Sequence, residues 1–262
     1  MASETPVALV TGAGSGIGAA AAIRLASRGC HVAINYAHNA QGAEHAASAC
    51  RAYGAEAITL KGDIAVDGDC RRLVAETIAA FGRLDILVNN AGVTRRVADD
   101  DLEALSGADF EHVFGVNVTG SYQMARAAAP HLRASGAGAI INVSSDSGLS
   151  GDGSSLAYAA SKGALNTLTL GLARTLAPEI RVNAVCPGFA DTSWALAWQD
   201  EASYAQFRAR VASLSVLKTI PSPEDIADSI EWLAFGARCV TGQLIVIDAG
   251  THLTAGTPLA AE

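Results

Sequence analysis

The sequence predicts a doubly wound α/β fold, in which helices cover both faces of a seven-stranded parallel sheet. Short runs of β-branched residues alternate with longer Ala- and Leu-rich stretches of helical period along the chain. A cluster of glycines joins the first predicted strand to the first predicted helix. The 262 residues, of which 50% are hydrophobic, are also enough for one large core. We therefore expect a single α/β domain.

The elements follow one another in strand, helix, strand order. The predicted strands are Val7–Thr11, His31–Tyr36, Glu56–Lys61, Leu84–Val88, Ala139–Ser144, Arg181–Cys186 and Gln243–Ile247. The predicted helices are Ile17–Arg28, Ala40–Tyr53, Asp69–Phe81, a long region Asp101–Arg133, Ser155–Ala177 and Pro223–Phe235. Such units connect neighbouring parallel strands through helices. No linker or repeat interrupts the alternation, so we expect residues 1–262 to form one domain.

One stretch departs from this pattern. Residues 189–215 carry several aromatic side chains but no strand pattern, and they read as irregular. An insertion after a late strand lies above the carboxyl ends of the strands, where ligands bind in open α/β sheets. We predict a substrate lid at about 189–215, and the alternative is a packed surface excursion.

Composition limits the range of partners. A net charge of −8 argues against nucleic acid or an anionic membrane surface as a partner. The five cysteines have no disulfide or zinc-site spacing, and the six histidines are scattered, so no metal site is expected. The first residues have no basic segment before an apolar run, and no run approaches the ~18 apolar residues of a membrane span. These features predict a cytoplasmic protein with no membrane segment.

The glycine cluster predicts a Rossmann-type dinucleotide site. It reads Thr11-Gly12-Ala13-Gly14-Ser15-Gly16-Ile17-Gly18, between a strand and a helix. Glycines let the backbone approach a pyrophosphate, whose charge is met by free N–H groups at the helix N-terminus. A tight turn without a ligand is the alternative. Asp63 and the run Asn89-Asn90-Ala91-Gly92 end two further strands at the same edge of the sheet, which favours the dinucleotide.

The motifs together resemble one family. They are T-G-x-x-x-G-I-G, N-N-A-G, Asn117, Ser145 with Tyr158-x-x-x-Lys162, and Pro187-Gly188. From Val7 to Gly250 the chain resembles the short, single-domain branch of the short-chain dehydrogenase/reductases, and is similar to β-ketoacyl-acyl-carrier-protein reductases. The resemblance implies an enzyme that moves a hydride between NAD(P) and a carbonyl or secondary alcohol, and that is usually a homotetramer.

The resemblance also implies a set of cofactor-binding residues. Asp63 would bind the adenine amino group, Asn90–Gly92 the nicotinamide ribose, and Thr192 the carboxamide. The full set is Gly12, Ser15, Gly16, Ile17, Gly18, Tyr36, Asp63, Ile64, Asn90, Ala91, Gly92, Tyr158, Lys162, Pro187, Gly188 and Thr192.

The expected catalytic set is Ser145, Tyr158, Lys162 and Asn117. Tyr158 and Lys162 are four residues apart on a predicted helix, so their side chains share one face. We expect the ammonium to lower the pKa of the phenol, which makes Tyr158 the general acid in reduction and the general base in oxidation. Ser145 ends the fifth strand and can donate to the substrate oxygen, whereas strand alternation turns Ser144 away. In the family the Asn117 position holds a water that links the lysine to solvent.

The choice of cofactor depends on the end of the second strand. NAD-preferring relatives have an Asp there that repels the 2′-phosphate of NADP, and this chain has Tyr36. Asn35, Ser15, His38 or Asn39 could donate hydrogen bonds to that phosphate. We therefore expect NADP in preference to NAD, although the usual Arg or Lys in the glycine loop or just after this strand is missing.

The substrate is less constrained by the sequence. We expect a small carbonyl or alcohol compound, and the candidate substrate-facing residues are Ser145, Asp146, Leu149, Asp152, Phe189, Trp194 and Trp198. A β-ketoacyl-acyl-carrier-protein reductase is the alternative, but apart from Arg133 little is basic where such enzymes hold the acidic carrier. A non-catalytic nucleotide-binding sensor and an extended-branch epimerase are further alternatives. The complete catalytic set opposes the sensor, and the short chain after Pro187 opposes the epimerase.

Overall fold

A single seven-stranded parallel sheet organises the molecule. The computed structural model describes residues 5–97, 101–192 and 200–254. The strands lie in the order β3-β2-β1-β4-β5-β6-β7, and every neighbouring pair is parallel. They are β1 (Val7–Val10), β2 (His31–Tyr36), β3 (Ala57–Lys61), β4 (Ile86–Asn89), β5 (Gly138–Val143), β6 (Ile180–Pro187) and β7 (Leu244–Ile247). The predicted fold class is confirmed.

The winding direction reverses in the middle of the sheet. The chain passes from β1 outward to β3, then crosses back to β4 beside β1 and continues to β7. In open α/β sheets such a reversal leaves a crevice at the carboxyl ends of the two central strands. The loops after β1 and β4 therefore form the two sides of the expected ligand site.

Helices cover both faces of the sheet. In chain order they are α1 (Gly16–Ser27), α2 (Ala40–Ala52), α3 (Asp67–Phe81), α4 (Gly107–Phe114), α5 (Ser121–Ala134), α6 (Ser147–Ser150), α7 (Leu156–Leu176), α8 (Glu201–Leu214) and α9 (Pro223–Glu231). Residues of α1, α2 and α9 pack in one core, and residues of α3, α5 and α7 pack in the other. Small alanines on these helices let them approach the sheet closely.

The region 101–133, predicted as one long helix, is divided. A 3₁₀ turn at Leu102–Ala104 comes first, and α4 then begins with a capping box in which Ser106 and Asp109 satisfy each other's backbone N–H groups. A π-helical turn at Gly115–Gly120 separates α4 from α5. The prediction of an uninterrupted helix was wrong, because an apolar period does not show caps or π turns, which are frequent at functional sites.

The stretch predicted as irregular contains a helix. Asp200 caps α8 by accepting a hydrogen bond from the Ser203 N–H at 2.9 Å. No residue of α8 is buried, so it lacks the apolar stripe by which an amphipathic helix is recognised in a sequence. Residues 193–199, with Trp194 and Trp198, lie outside the described residues.

Contacts fasten α8 to the segment that follows β6. The Phe189 ring packs edge-on against Phe207, with 4.9 Å between ring centroids. The Tyr204 hydroxyl donates to Asp191 at 2.5 Å, and Arg208 forms an ion pair with the same carboxylate at 2.8 Å. The helix of the predicted lid is thus held by the segment that carries Thr192, and its action as a lid stays a prediction.

Neither a membrane-spanning helix nor a metal-binding cluster occurs among the described residues. None of the described helices is long and apolar enough to cross a membrane. Within the same residues, no cluster of three His, Cys, Asp or Glu side chains could hold a metal ion.

Candidate active site

The glycine loop after β1 packs tightly against the end of β4. Gly12 has a φ of +61°, and a Cβ there would lie 2.7 Å from Cα of Ala91. A Cβ on Gly18 would lie 2.4 Å from the side-chain amide nitrogen of Asn90. Contacts this short exclude any larger residue without a shift of the loops. The glycines thus allow the backbone of two loops to meet at the crevice.

Polar side chains fix these loops to one another. The Thr11 hydroxyl oxygen accepts hydrogen bonds from the N–H groups of Asn90 and Ala91, both at 3.0 Å. The Asn90 side-chain amide also donates to the carbonyls of Thr11 and Gly12, at 2.9 and 3.1 Å. Because these four part-buried bonds join the segment after β1 to the segment after β4, the two strand ends form one rigid rim. Asn90 was expected at the cofactor, and its side chain serves this rim.

Asn35 and Asn39 have structural roles that the sequence did not reveal. Asn35 is buried, accepts from the Gly12 N–H at 3.2 Å and donates to the carbonyls of Leu60 and Gly62 at 3.2 and 3.0 Å. Asn39 caps α2 and donates to the Gly14 carbonyl at 2.9 Å. Both N–H donors of Asn35 are occupied, so the expectation that it could hold a 2′-phosphate is wrong, whereas Asn39 is exposed and uses one of its two donors. Of the donors suggested there, Ser15, His38 and Asn39 are left, all of them exposed.

The N-terminus of α1 fits a dinucleotide. The first N–H groups of a helix have no hydrogen-bond partner within the helix. Helix α1 begins at Gly16 in the glycine loop, so its first N–H groups lie at the crevice. Ser15 precedes α1, and its side chain makes no capping bond to the helix. Ile17 is half-buried and packs on the α1 side of the sheet. The glycine cradle and these free donors match the shape and charge of a pyrophosphate.

A broad cavity of about 500 Å³ lies beside the loop after β2. It is lined by Ala37, His38, Lys61, Gly62, Asp63, Asp69 and Arg72. Tyr36 is half-buried. It lies beside the cavity because its direct partner in the β2–β3 ladder is Lys61, which lines the cavity. Asp63 is exposed, and one of its oxygens accepts from the Ala65 N–H at 2.9 Å. Ile64 is only 3% exposed and packs against Gly120, so it could reach a cofactor only through its main chain.

The loop after β6 closes the other side of the crevice. The Gly188 N–H donates to the Ile247 carbonyl at 3.0 Å, which fixes the turn that follows Pro187. The Thr192 methyl carbon lies 3.5 Å from the position that a Cβ on Gly16 would take. The structure therefore brings Thr192 to the glycine loop, although the two are distant in the sequence.

Ser145, Tyr158 and Lys162 meet at the carboxyl ends of β4, β5 and β6. The Tyr158 and Ser145 hydroxyls share a hydrogen bond. The Lys162 ammonium lies 5.5 Å from the centre of the Tyr158 ring and donates to the Val143 carbonyl at 2.8 Å. Ser144 donates to the Asn166 side chain at 2.6 Å, so it faces α7 and not the crevice, as strand alternation predicts.

Burial controls the protonation of this group. It raises the pKa of Tyr158 to about 12, an effect that the Asp146 charge reinforces and the Ser145 hydrogen bond opposes. It lowers the pKa of Lys162 to about 8. We expected the ammonium to lower the tyrosine pKa, and this is not seen in the protein alone. The reason is that the ammonium is bound to the Val143 carbonyl beside the ring, so burial dominates.

Asn117 lies in the π-helical turn and is fully buried. Its amide accepts from the Val93 N–H at 2.8 Å and donates to the Val93 carbonyl at 3.0 Å and to Ser161 at 2.9 Å. A Cβ on Gly92 would lie 3.4 Å from the Asn117 oxygen and 3.6 Å from the Lys162 nitrogen. Asn117 thus holds the loop after β4 beside the lysine, a role the sequence did not indicate. The water that the resemblance implies stays a prediction.

The expected substrate-facing residues are not all at the same depth. Asp146 accepts a hydrogen bond from Ser145 at 3.1 Å, directly beside the Ser145–Tyr158 pair. Leu149 on α6 and Asp152 after it are exposed. Phe189 is half-buried in the aromatic contacts with α8. Trp194 and Trp198 lie outside the described residues. Of the other five, Ser145 and Asp146 lie at the reacting groups, and Leu149, Asp152 and Phe189 lie nearer the surface.

The crevice, the glycine loop at a helix N-terminus and the buried Ser–Tyr–Lys group define a dinucleotide-dependent oxidoreductase. The family model described as enoyl-(acyl carrier protein) reductase matches residues 12–252. The chain belongs to the short-chain dehydrogenase/reductase family and is an oxidoreductase that uses a nicotinamide cofactor.

Similar proteins cover nearly the whole chain. A Streptomyces violaceoruber protein described as ketoacyl reductase 2 of the granaticin polyketide synthase is 40% identical over 252 residues, 96% of this chain and 98% of its own. A cis-4-hydroxycyclohexanecarboxylate dehydrogenase from Sinomonas cyclohexanicum is 38% identical over 93% of this chain and 95% of its own. A crystal structure of a Burkholderia xenovorans protein described as a short-chain dehydrogenase/reductase has a TM-score of 0.89 and 41% identity, and the match covers 96% of this chain and 99% of that one.

Proposed function

We propose that the protein interconverts a free small-molecule ketone and its secondary alcohol, with Ser145, Tyr158 and Lys162 as the reacting group. The observation that carries this proposal is the hydrogen-bonded Ser145–Tyr158 pair beside a buried lysine, at the end of the sheet where the glycine loop lies. A nicotinamide bound in the crevice supplies or accepts the hydride. The residues of the chain orient the substrate oxygen and handle its proton.

The order of events follows from the geometry of the pair. Ser145 donates a hydrogen bond to the substrate oxygen, which gains negative charge as the carbonyl is reduced. Tyr158 then gives that oxygen its proton. With a pKa of about 12 the phenol is protonated at neutral pH, the form that reduction requires. Lys162 provides positive charge beside Tyr158 and the nicotinamide ribose, and Asn117 keeps the loop after β4 next to it.

A panel of carbonyl and alcohol compounds tests this function. Turnover is followed by the absorbance of the reduced cofactor, and reduction of at least one free ketone is expected. Failure of the whole panel together with unimpaired cofactor binding would favour a non-catalytic nucleotide-binding sensor.

The proposal includes a preference for NADP. Tyr36 replaces the acidic residue that would repel a 2′-phosphate. Lys61 supplies a positive charge at this site that no local sequence pattern indicates. It is exposed, it is paired with Tyr36 across the β2–β3 ladder, and it lines the cavity beside His38. No carboxylate forms an ion pair with Lys61 among the described residues, so its ammonium is available to a phosphate.

Binding measurements at one salt concentration test the preference. NADPH is expected to bind more tightly than NADH. Lys61→Met should weaken NADPH and leave NADH nearly unchanged, and Tyr36→Asp should shift the preference towards NADH. Lys218→Met, which removes an exposed lysine from another part of the chain, is the matched control. Tighter binding of NADH by the unaltered protein would contradict the proposal.

A β-ketoacyl group on a carrier protein is the second candidate substrate, favoured by the similarity to the granaticin ketoacyl reductase. The net charge of −8 opposes it, because a carrier protein of the same sign is repelled. The exposed Arg133 at the end of α5 is accompanied by the exposed Glu179 before β6. The panel should therefore contain one β-ketoacyl thioester both free and on its carrier. If kcat/KM for the carrier-bound thioester is much larger than for the free thioester, the carrier-bound β-ketoacyl group becomes the proposed substrate in place of a free ketone.

Assembly and location form the last part of the proposal. We propose a homotetramer, which the partly exposed Leu170 on α7 and Trp232 after α9 support as apolar contact sites. Light scattering at micromolar concentration should give the mass of four chains, and a monomer mass would contradict this. We also propose a cytoplasmic location, supported by five cysteines that are all free thiols.

A further inference from the structure

Asp146 is bonded to Ser145, the residue that precedes it. Besides the neutral Tyr158 hydroxyl, the Ser145 hydroxyl has three acceptors in range, namely the Asp146 carboxylate at 3.1 Å, the Ser147 hydroxyl at 3.1 Å and the Pro187 carbonyl at 3.5 Å. A carboxylate is the strongest acceptor of the three, and the carbonyl is at the limit of hydrogen-bond distance. The serine proton is therefore directed at Asp146.

This direction fixes the other bonds of the serine oxygen. With its one proton directed at Asp146, the Ser145 oxygen accepts from the Ser147 N–H at 3.2 Å and shares a further hydrogen bond with the Tyr158 hydroxyl. The three side chains thus form a relay in which Ser145 lies between Tyr158 and Asp146 and donates to the Asp146 carboxylate. The carboxylate at the end of this relay places a negative charge near Tyr158, which favours the protonated phenol.

The charges around this relay come from several elements. Tyr158 has Lys162 on its own helix beside its ring and Asp146 beyond Ser145. Asp146 faces Asp248 at the end of β7, Asp152 before α7 and Cys186 on β6. His252 bonds to the Asp248 carboxylate at 2.7 Å. Burial and the two neighbouring carboxylates raise the pKa of Asp146, and no described cation forms an ion pair with it.

We propose that Asp146 is a positioning residue, which orients the Ser145 hydroxyl and places a negative charge that keeps the proton on Tyr158. The inference rests on the proposed roles of Ser145 and Tyr158 in the reaction. Its consequence is that reduction, which needs the protonated phenol, extends to higher pH, and that oxidation, which needs the phenolate, starts at higher pH. Substrate binding turns the serine proton from the Asp146 carboxylate to the substrate oxygen.

The most direct test titrates Tyr158 itself and needs no substrate. The chain has five tyrosines, so protein made with tyrosine 13C-labelled only at the hydroxyl-bearing ring carbon gives five signals, and Tyr158→Phe identifies the one from Tyr158. Asp146→Asn keeps an oxygen acceptor but removes the charge. Its Tyr158 signal is expected to titrate about one pH unit lower than in the unaltered protein.

Asp152→Asn is the matched control, because it removes an exposed carboxylate of the same surroundings that does not bond to Ser145. Its Tyr158 signal should titrate as in the unaltered protein. If Asp146→Asn does not fold, Asp146→Ser provides a short neutral acceptor and is read in the same way. An unchanged titration in the folded variant, or an equal shift in Asp152→Asn, would overturn the proposal.

Kinetics add a second readout once a substrate is known. In Asp146→Asn the rise of kcat/KM for alcohol oxidation should move to lower pH by about one unit. Asp146→Ala, which also removes the acceptor, should lower kcat several-fold more than Asp146→Asn does. Full turnover in Tyr158→Phe would refute the proposed function. The titration stands apart from that result, because it reports on the relay without turnover.

Discussion

Lys162 is expected to reduce the stability of the fold. Its side chain is 3% exposed, and burial lowers its pKa from 10.5 to about 8. This difference corresponds to about 3 kcal/mol of disfavoured charge. Lys162→Met removes the charge and retains the apolar stem. It also deprives the Val143 carbonyl of its 2.8 Å donor, which costs about 1 kcal/mol. The variant should be more stable at pH 7 by about 2 kcal/mol.

The sign of the pH dependence follows from the lowered pKa. Below pH 8 the lysine is charged in both states, so the whole cost of burying the charge is present. Between pH 8 and 10.5 the folded protein has released the proton that the unfolded chain still binds. Stability therefore rises with pH in this window, and above it the lysine is neutral in both states. The advantage of the variant should shrink across the same window.

Urea unfolding at several pH values measures both quantities. Lys162→Met should unfold at a higher urea midpoint than the unaltered protein at pH 7, and the two midpoints should approach each other towards pH 10. Lys218→Met, an exposed lysine, should show no such trend. A lower midpoint for Lys162→Met at pH 7, or a difference that is constant with pH, would refute the reasoning.

Three further predictions concern Asn117, Gly92 and Cys239. Asn117→Ala removes three hydrogen bonds and should lower the free energy of unfolding, measured by urea titration, by about 3 kcal/mol. Thr119 is exposed in the same turn, and Thr119→Ala should change the free energy of unfolding by less than about 0.5 kcal/mol. Gly92→Ala adds a methyl group at 3.4 Å or more from its neighbours, so the thermal unfolding midpoint of the variant should stay unchanged. The same methyl group should obstruct the cofactor, so the cofactor Kd, measured by fluorescence, should rise at least about tenfold. An unchanged Kd would place the cofactor elsewhere. Cys239 is the one exposed thiol of five. A thiol reagent should therefore modify one group quickly in the native protein and the other four only after unfolding. Two rapidly modified groups would contradict the burial of the other four cysteines.

The elements that the sequence predicted well are those whose pattern is local. The β-branched runs placed β2 at His31–Tyr36 with correct ends, and the parallel order follows from helices between successive strands. The division of residues 101–133 was missed, because a capping box at Ser106 and a π turn leave the apolar period intact. Helix α8 was missed for the opposite reason, since it buries no side chain.

The candidate site was predictable where a motif gives both residue type and position. Ser145, Tyr158 and Lys162 do come together. The roles of polar residues within strands were not predictable. Asn35 reads as a possible ligand of the phosphate, yet its donors are used by main-chain carbonyls of a neighbouring strand. The position of Lys61 beside Tyr36 depends on strand pairing, which no local pattern shows.

The protonation of Tyr158 required the three-dimensional structure for a related reason. The spacing of Tyr158 and Lys162 suggests a lowered phenol pKa, because it places an ammonium nearby. The effect of burial on the phenol pKa can be larger than the effect of that ammonium. Which of the two is larger depends on the direction of the ammonium and on the negative charge of Asp146, and tertiary contacts determine both.

The central claim is that Tyr158 transfers the proton in a nicotinamide-dependent reaction. The most direct measurement compares Tyr158→Phe with the unaltered protein for two quantities, the turnover of a substrate found in the panel and the Kd of the reduced cofactor. Phenylalanine removes the hydroxyl and little else, so turnover should fall by at least about a thousandfold while the Kd changes by less than about threefold. Turnover within tenfold of the unaltered protein would contradict the account.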